Sequence, residues 1–153
     1  MMNNQEELAI KYFNEGYNCA QSVFAAFHEE MGIDEKTAFK MSSAFGGGMG
    51  GLREVCGAVT GMFMVLSNLY GYDDAKALDK KKELFGNIQA LAEEFKKEHG
   101  TIICRDLLVS PKAKEFEPKG GHAGICFEYV KDAARIVSEF IEKTNQTKNG
   151  TLW

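Results

Sequence analysis

The chain is poor in several things, and each shortage removes a class of function. Its 153 residues include two prolines, one tryptophan, three histidines and no Cys-x-x-Cys pair. Without a close cysteine pair, neither a thioredoxin-type motif nor a zinc ribbon is available. The histidines (His28, His99 and His122) are scattered, so no Ser-His-Asp arrangement can be argued, and His28 and His99 are expected in solvated helix ends. Basic charge is not in excess: 18 Lys and Arg stand against 22 Asp and Glu, for a net charge of −4. An acidic chain with no basic cluster is a poor nucleic-acid binder. The most apolar stretch, Val55 to Tyr70, is too short and too interrupted by Gly61, Ser67 and Asn68 for membrane insertion. The opening MMNNQEELAIKYF has neither the basic start nor the apolar run of a secretion signal. The expected setting is therefore cytoplasmic, where thiols stay reduced and a structural disulfide framework is disfavoured.

What is present is glycine, concentrated around one cysteine. Seven of the 16 glycines fall within the sixteen residues Gly46 to Gly61. Glycine weakens a regular element and is kept where backbone must bend or approach something closely. Cys56 stands at the exit of this loop, where a helical pattern begins. Unpaired N–H groups and the positive end of a helix dipole there favour thiolate, the form that attacks or binds metal. Gly46-x-Gly48-x-x-Gly51 formally fits a dinucleotide fingerprint, but a helical pattern precedes it where a strand is needed. A wide turn that lets another segment or a bound group approach Cys56, with N–H groups forming an anion nest, is the plainer expectation.

Periodicity is helical throughout, and no alternating run of strand length appears. The expected fold is all-α: a single domain over 1–153, with five to seven helices around a central apolar helix at about 56–70. Leu8, Tyr12 and Phe13 mark the first helix, capped at Asn4. A second is expected from Asn18 to Met31, and a third capped by Asp34. A long helix capped by Asp73 or Asp74 should run to His99, with Lys80, Lys81 and Lys82 on a solvated face. A short helix surrounds Cys104. Residues 109–121, which hold both prolines, read as a loop, and a last helix runs from about His122 to Lys143. Residues 144–153 read as a polar tail ending in Trp153, free or docked on the core or on a second copy, so a homo-oligomer is possible.

The four cysteines, Cys19, Cys56, Cys104 and Cys126, are 37, 48 and 22 positions apart. Each falls at or near a predicted helix start, a placement that favours thiolate. His122 precedes Cys126 by four, one helical turn, and could lower its pKa or join it on a metal.

These pieces together resemble a known family. The order Asn18-Cys19-Ala20-Gln21-Ser22-Val23, Phe45-Gly46-Gly47-Gly48-Met49-Gly50, Cys56-Gly57-Ala58-Val59-Thr60-Gly61, then Cys104 and Cys126-Phe127-Glu128-Tyr129-Val130, is similar to the C-GCAxxG-C-C family of redox-active proteins. The similarity covers about residues 5–142. It implies that the four cysteines, with Gly57, Ala58 and Gly61 of the central motif, form the functional site, but implies no substrate, partner or cofactor.

Three readings follow. In the first, Cys56 is the reactive thiolate and Cys19 is the expected resolving partner, exchanging electrons with an unknown donor or acceptor and needing no cofactor. In the second, Cys19, Cys56, Cys104 and Cys126, with or without His122, hold zinc or an iron–sulfur cluster. In the third, the cysteines are small buried hydrophobes in a helical scaffold.

Overall fold

The computed structural model describes residues 2–148, with the side chains of 117–123 and 148 excepted. Trp153 and the end of the tail lie outside the described residues. Nine α-helices are described, and no strand: α1 Asn4–Asn14, α2 Cys19–Ala25, α3 His28–Met31, α4 Glu35–Ser42, α5 Gly46–Met49, α6 Gly57–Tyr70, α7 Leu78–His99, α8 Cys104–Leu108 and α9 Pro111–Lys148. A 3-10 turn, Ser43–Phe45, joins α4 to α5. The all-α expectation holds, with more and shorter pieces than the five to seven foreseen.

The caps explain most boundaries. Asn3, one residue before the expected cap, accepts the Glu6 N–H at 2.8 Å. Asn18 and Gln21 form a reciprocal capping box at the start of α2, with bonds of 2.9 and 3.1 Å. This fixes the angle at which Cys19 enters the fold. The helix foreseen over 18–31 breaks at Phe27 (φ −108°, ψ 18°) into α2 and α3. Asp34 caps α4 as expected, accepting from the Thr37 N–H.

Three boundaries differ from expectation. Asp74 accepts the Lys76 N–H at 2.9 Å, an Asx turn, and α7 starts only at Leu78. Residues 111–121 are helix, not loop, because Ser110 accepts the Ala113 N–H and Pro111 occupies the first helical position. There a missing N–H costs nothing. The helix then continues through Pro118, so α9 starts eleven residues before the predicted His122. It also reaches Lys148, which takes 144–148 out of the supposed tail.

At the centre, α6 is buried at Gly57 to Met62, Val65 and Leu66. It packs most extensively on α2, and α9 lies against α1, α6, α2 and α7. Leu84, Leu91 and Phe95 form the buried stripe of α7, and Lys80, Lys81 and Lys82 are exposed. No helix is long and apolar enough to cross a membrane, among the described residues.

Candidate functional site: a pocket of four cysteines

Three local devices bring the thiols together. The first is a single antiparallel bridge between Val55 and Ile103. The Cys56 N–H donates to Ile102 O at 2.8 Å, and the Cys104 N–H to Glu54 O at 2.6 Å. Side chains alternate across extended backbone, so Cys56 and Cys104 share the face opposite Val55 and Ile103.

The second device is the central motif. Gly57 and Gly61 are four residues apart on one face of α6. A Cβ on Gly57 would stand 3.2 Å from both Ala20 N and Cys19 Cβ, and one on Gly61 would be 2.9 Å from Val23 Cβ. The missing side chains let α2 and α6 touch, which sets Cys19 beside the start of α6. Ala58 is fully buried in the same helix. The motif's small residues are thus helix-packing positions.

The third device is the glycine loop. Gly47, Gly48, Met49, Gly50, Gly51 and Arg53 all have left-handed φ. A Cβ at Gly48 would lie 2.6 Å from Cys104 Cβ and 2.8 Å from Arg53 Cα. The N–H groups of Gly51, Arg53 and Glu54 donate to Gly46, Gly47 and Gly48 carbonyls at 2.9–3.2 Å. The loop therefore spends those three donors on itself. Its glycines serve close approach to Cys104.

Cys126 and Tyr129 come from α9, one turn apart. All four cysteines line one cavity of about 50 Å³, with Gly47, Gly48, Arg53, Gly57, Leu107, Leu108 and Tyr129. Cys56 and Cys104 are buried, and Cys19 and Cys126 half-buried. Cys19 opens α2, Cys56 immediately precedes α6 and Cys104 opens α8, as the sequence suggests. Cys126 does not: it sits well inside α9. The side chain of His122 lies outside the described residues.

The environment sorts the thiols. Burial pushes Cys56 up to about 12, outweighing the Val59 and Ala58 N–H groups that favour its thiolate. The helix-start argument is correct in sign here and too small in size. The hydrogen bond between Cys19 and Cys126 raises Cys19, with burial adding to the rise, and holds Cys126 below the ordinary thiol value. Burial works against Cys126 ionising, and the Arg53 charge helps it. The partner of the Cys19 thiol is thus Cys126. Arg53 Nη1 also donates to Cys104 Sγ at 3.8 Å.

Sequence reading passed over two parts of this site. Arg53 is the sole cation between Gly46 and Gly61, and Tyr129 lies one helical turn beyond Cys126. Either signal could have found them. It also misplaced His99, whose side chain is fully buried and whose Nε2 is 2.8 Å from Asp132 Oδ2. Lys112 Nζ donates to His99 Nδ1 at 3.4 Å, and the His99 ring stands edge-on to Tyr129 at 4.9 Å. Glu98, His99 and Asp132 bring their ligand atoms within 4.8 Å of one another, the single such group among the described residues. Arg135 pairs with Glu98 and Glu139, so cations already neutralise this cluster.

Fold and site define a helical protein with a centre built of four converging thiols. The chain belongs to the family described as "Putative redox-active protein (C_GCAxxG_C_C)", whose model matches residues 17–140. No curated protein and no solved structure matches it.

Proposed function

We propose that the four cysteines work as one redox centre and that they ligate an iron–sulfur cluster. The observation that carries this reading is convergence: Cys19, Cys56, Cys104 and Cys126, from four parts of the chain, line a single small cavity. Isolated buried thiols in a scaffold have no reason to meet. Four thiolates are the usual donor set of such clusters.

When bound, the cluster supplies one-electron exchange. The protein's residues do the rest. Leu107, Leu108 and Tyr129 give the cavity an apolar wall. Arg53 and the Val59 and Ala58 N–H groups offset the charge of Cys104 and Cys56. Burial also argues against Cys56 as an exchanging thiol, because exchange needs in-line access to the sulfur. For Cys56 a high pKa in the metal-free state is no obstacle to ligation, since a metal deprotonates its thiol outright.

A second reading is favoured by one contact. Cys19 and Cys126 share a hydrogen bond, and Cys126 is the thiol held low. They are the pair best suited to reversible disulfide formation, with loss of two electrons and two protons.

Iron and acid-labile sulfide are measured on anaerobically purified protein, and disulfides are mapped after mild oxidation. Equimolar iron and sulfide support the cluster. A Cys19–Cys126 disulfide without iron supports the second reading. Neither iron nor an intramolecular disulfide removes both.

A further inference from the structure

Two of the four cysteines stand on helices that one side chain ties together. Cys104 opens α8, with Leu107 three residues on. Cys126 lies inside α9, with Tyr129 three residues on, so Leu107 and Tyr129 each share a helix face with their cysteine. The buried Tyr129 hydroxyl donates to Leu107 O at 2.8 Å. Burial pushes the Tyr129 pKa above the ordinary phenol value, so the proton stays available for donation. At five residues, α8 is too short to hold a position by itself. Its first turn is fixed by the Cys104 N–H on Glu54 O at 2.6 Å. At its far end Leu107 and Leu108 are buried, but apolar burial has no direction and leaves the helix angle open, whereas the hydroxyl bond is directional. The Tyr129 ring is held in turn. His99 stands edge-on to it at 4.9 Å and Phe95 is tilted against it at 5.9 Å. Asp132, three residues beyond Tyr129 on α9, anchors His99 at 2.8 Å. A phenylalanine would fill the same space without the cost of burying a hydroxyl, so the hydroxyl itself calls for a role.

We propose that Tyr129 is a positioning residue of the cysteine centre, whose bond to Leu107 O sets Cys104 on α8 and Cys126 on α9 at the separation that lets both act on one bound group. Tyr129 acts through the two helices and not as a ligand. This role rests on the reading of the four cysteines as one centre. Groups that orient metal ligands from behind carry about ten- to hundredfold of the metal affinity. Removing the hydroxyl does not strand its acceptor, because Ser110 Oγ also donates to Leu107 O at 3.0 Å. Tyr129→Phe therefore keeps its ring and its fold and loses the tie between the helices.

The test uses the full chain, purified anaerobically, reduced and stripped of metal, with cobalt(II) as the probe. Cobalt(II) held by thiolates absorbs in the visible and near ultraviolet, and competition with a chelator gives its affinity. Tyr129→Phe should bind cobalt(II) about ten- to hundredfold more weakly than the unaltered protein. Leu84→Ala, in the buried stripe of α7 and outside the cavity, should lower the urea midpoint at least as far and leave the cobalt(II) affinity unchanged. The comparison separates a lost tie at the centre from a general loosening of the fold. A loss of less than about tenfold in Tyr129→Phe, or an equal loss in Leu84→Ala, overturns the positioning role and leaves the one-centre reading in place. Absence of thiolate–cobalt bands in the unaltered protein removes the one-centre reading, and this role with it.

Discussion

Replacing Gly48 by alanine puts a methyl group where three atoms already stand. The new Cβ would be 2.6 Å from Cys104 Cβ, 2.8 Å from Arg53 Cα and 2.9 Å from Glu54 N. Two of these are backbone atoms held by the Val55–Ile103 bridge, so they cannot turn away. Left-handed φ at alanine costs about 1–2 kcal/mol, and forcing atoms into a packed site about 1–3 kcal/mol more. The expected loss is roughly 2–5 kcal/mol, a large part of a small domain's stability. Two other glycines separate the contributions. Gly51 has φ +83° with nothing within 4 Å, so its alanine variant meets backbone strain alone, about 1–2 kcal/mol. Gly86 lies inside α7 with nothing within 4 Å, and alanine there should stabilise by about 0.5–1 kcal/mol. Urea titration of the three variants reads these differences at constant m. A Gly48→Ala variant no less stable than Gly51→Ala would refute the close-approach account of the loop.

Four further outcomes are expected. In reduced, metal-free protein, Cys56 is raised by burial from 9.0 to about 12, so its contribution is complete below pH 9 and is lost as pH rises towards 12. That span of about three pH units corresponds to about 4 kcal/mol. Denaturation between pH 8 and about pH 11 should show the loss, and Cys56→Ala should remove the Cys56 share of it. Asp132 is half-buried, which opposes its ionisation, but the His99 hydrogen bond holds it below the carboxylate range. Its stabilisation is therefore present above the ordinary carboxylate pKa and lost as pH falls through the folded value, a difference that acid titration against Asp132→Asn should resolve. His99→Ala, which strips the partner from that carboxylate, should cost about 2–4 kcal/mol in a urea titration. Gly61→Val should cost about 1–3 kcal/mol in thermal unfolding by driving Val23 and Ala20 away from α6.

Much of this centre was legible in the amino-acid order. The capping residues Asn18 and Asp34, the apolar run of α6 and the four cysteines could be read because each is a local signal. The loop expected at 109–121 failed because proline was taken as a breaker, whereas Pro111 sits where helices accept it and Ser110 supplies the cap. The close approach expected of the glycine loop is made, at Gly48, to Cys104. The loop's N–H groups were expected to form an anion nest, and those of Gly51, Arg53 and Glu54 instead close the loop on Gly46, Gly47 and Gly48. Whether a carbonyl or a ligand takes an N–H is a tertiary question that spacing does not answer. The ordering of the thiols was likewise out of reach. A helix start stabilises thiolate by fractions of a kcal/mol to about 2 kcal/mol, and full burial opposes it by more. Burial depends on Leu107, Leu108 and Tyr129, far along the chain. The His99–Asp132 pair joins α7 to α9 across 33 positions and leaves no local pattern.

The claim that the four thiols form one centre is tested most directly by replacing each with serine in turn and recording the visible absorption and iron content of the anaerobically purified protein. The account predicts the same collapse of the sulfur-to-iron bands and of the iron in all four variants, with each chain still helical by far-ultraviolet circular dichroism. Full retention of iron and spectrum in any one of them would contradict it.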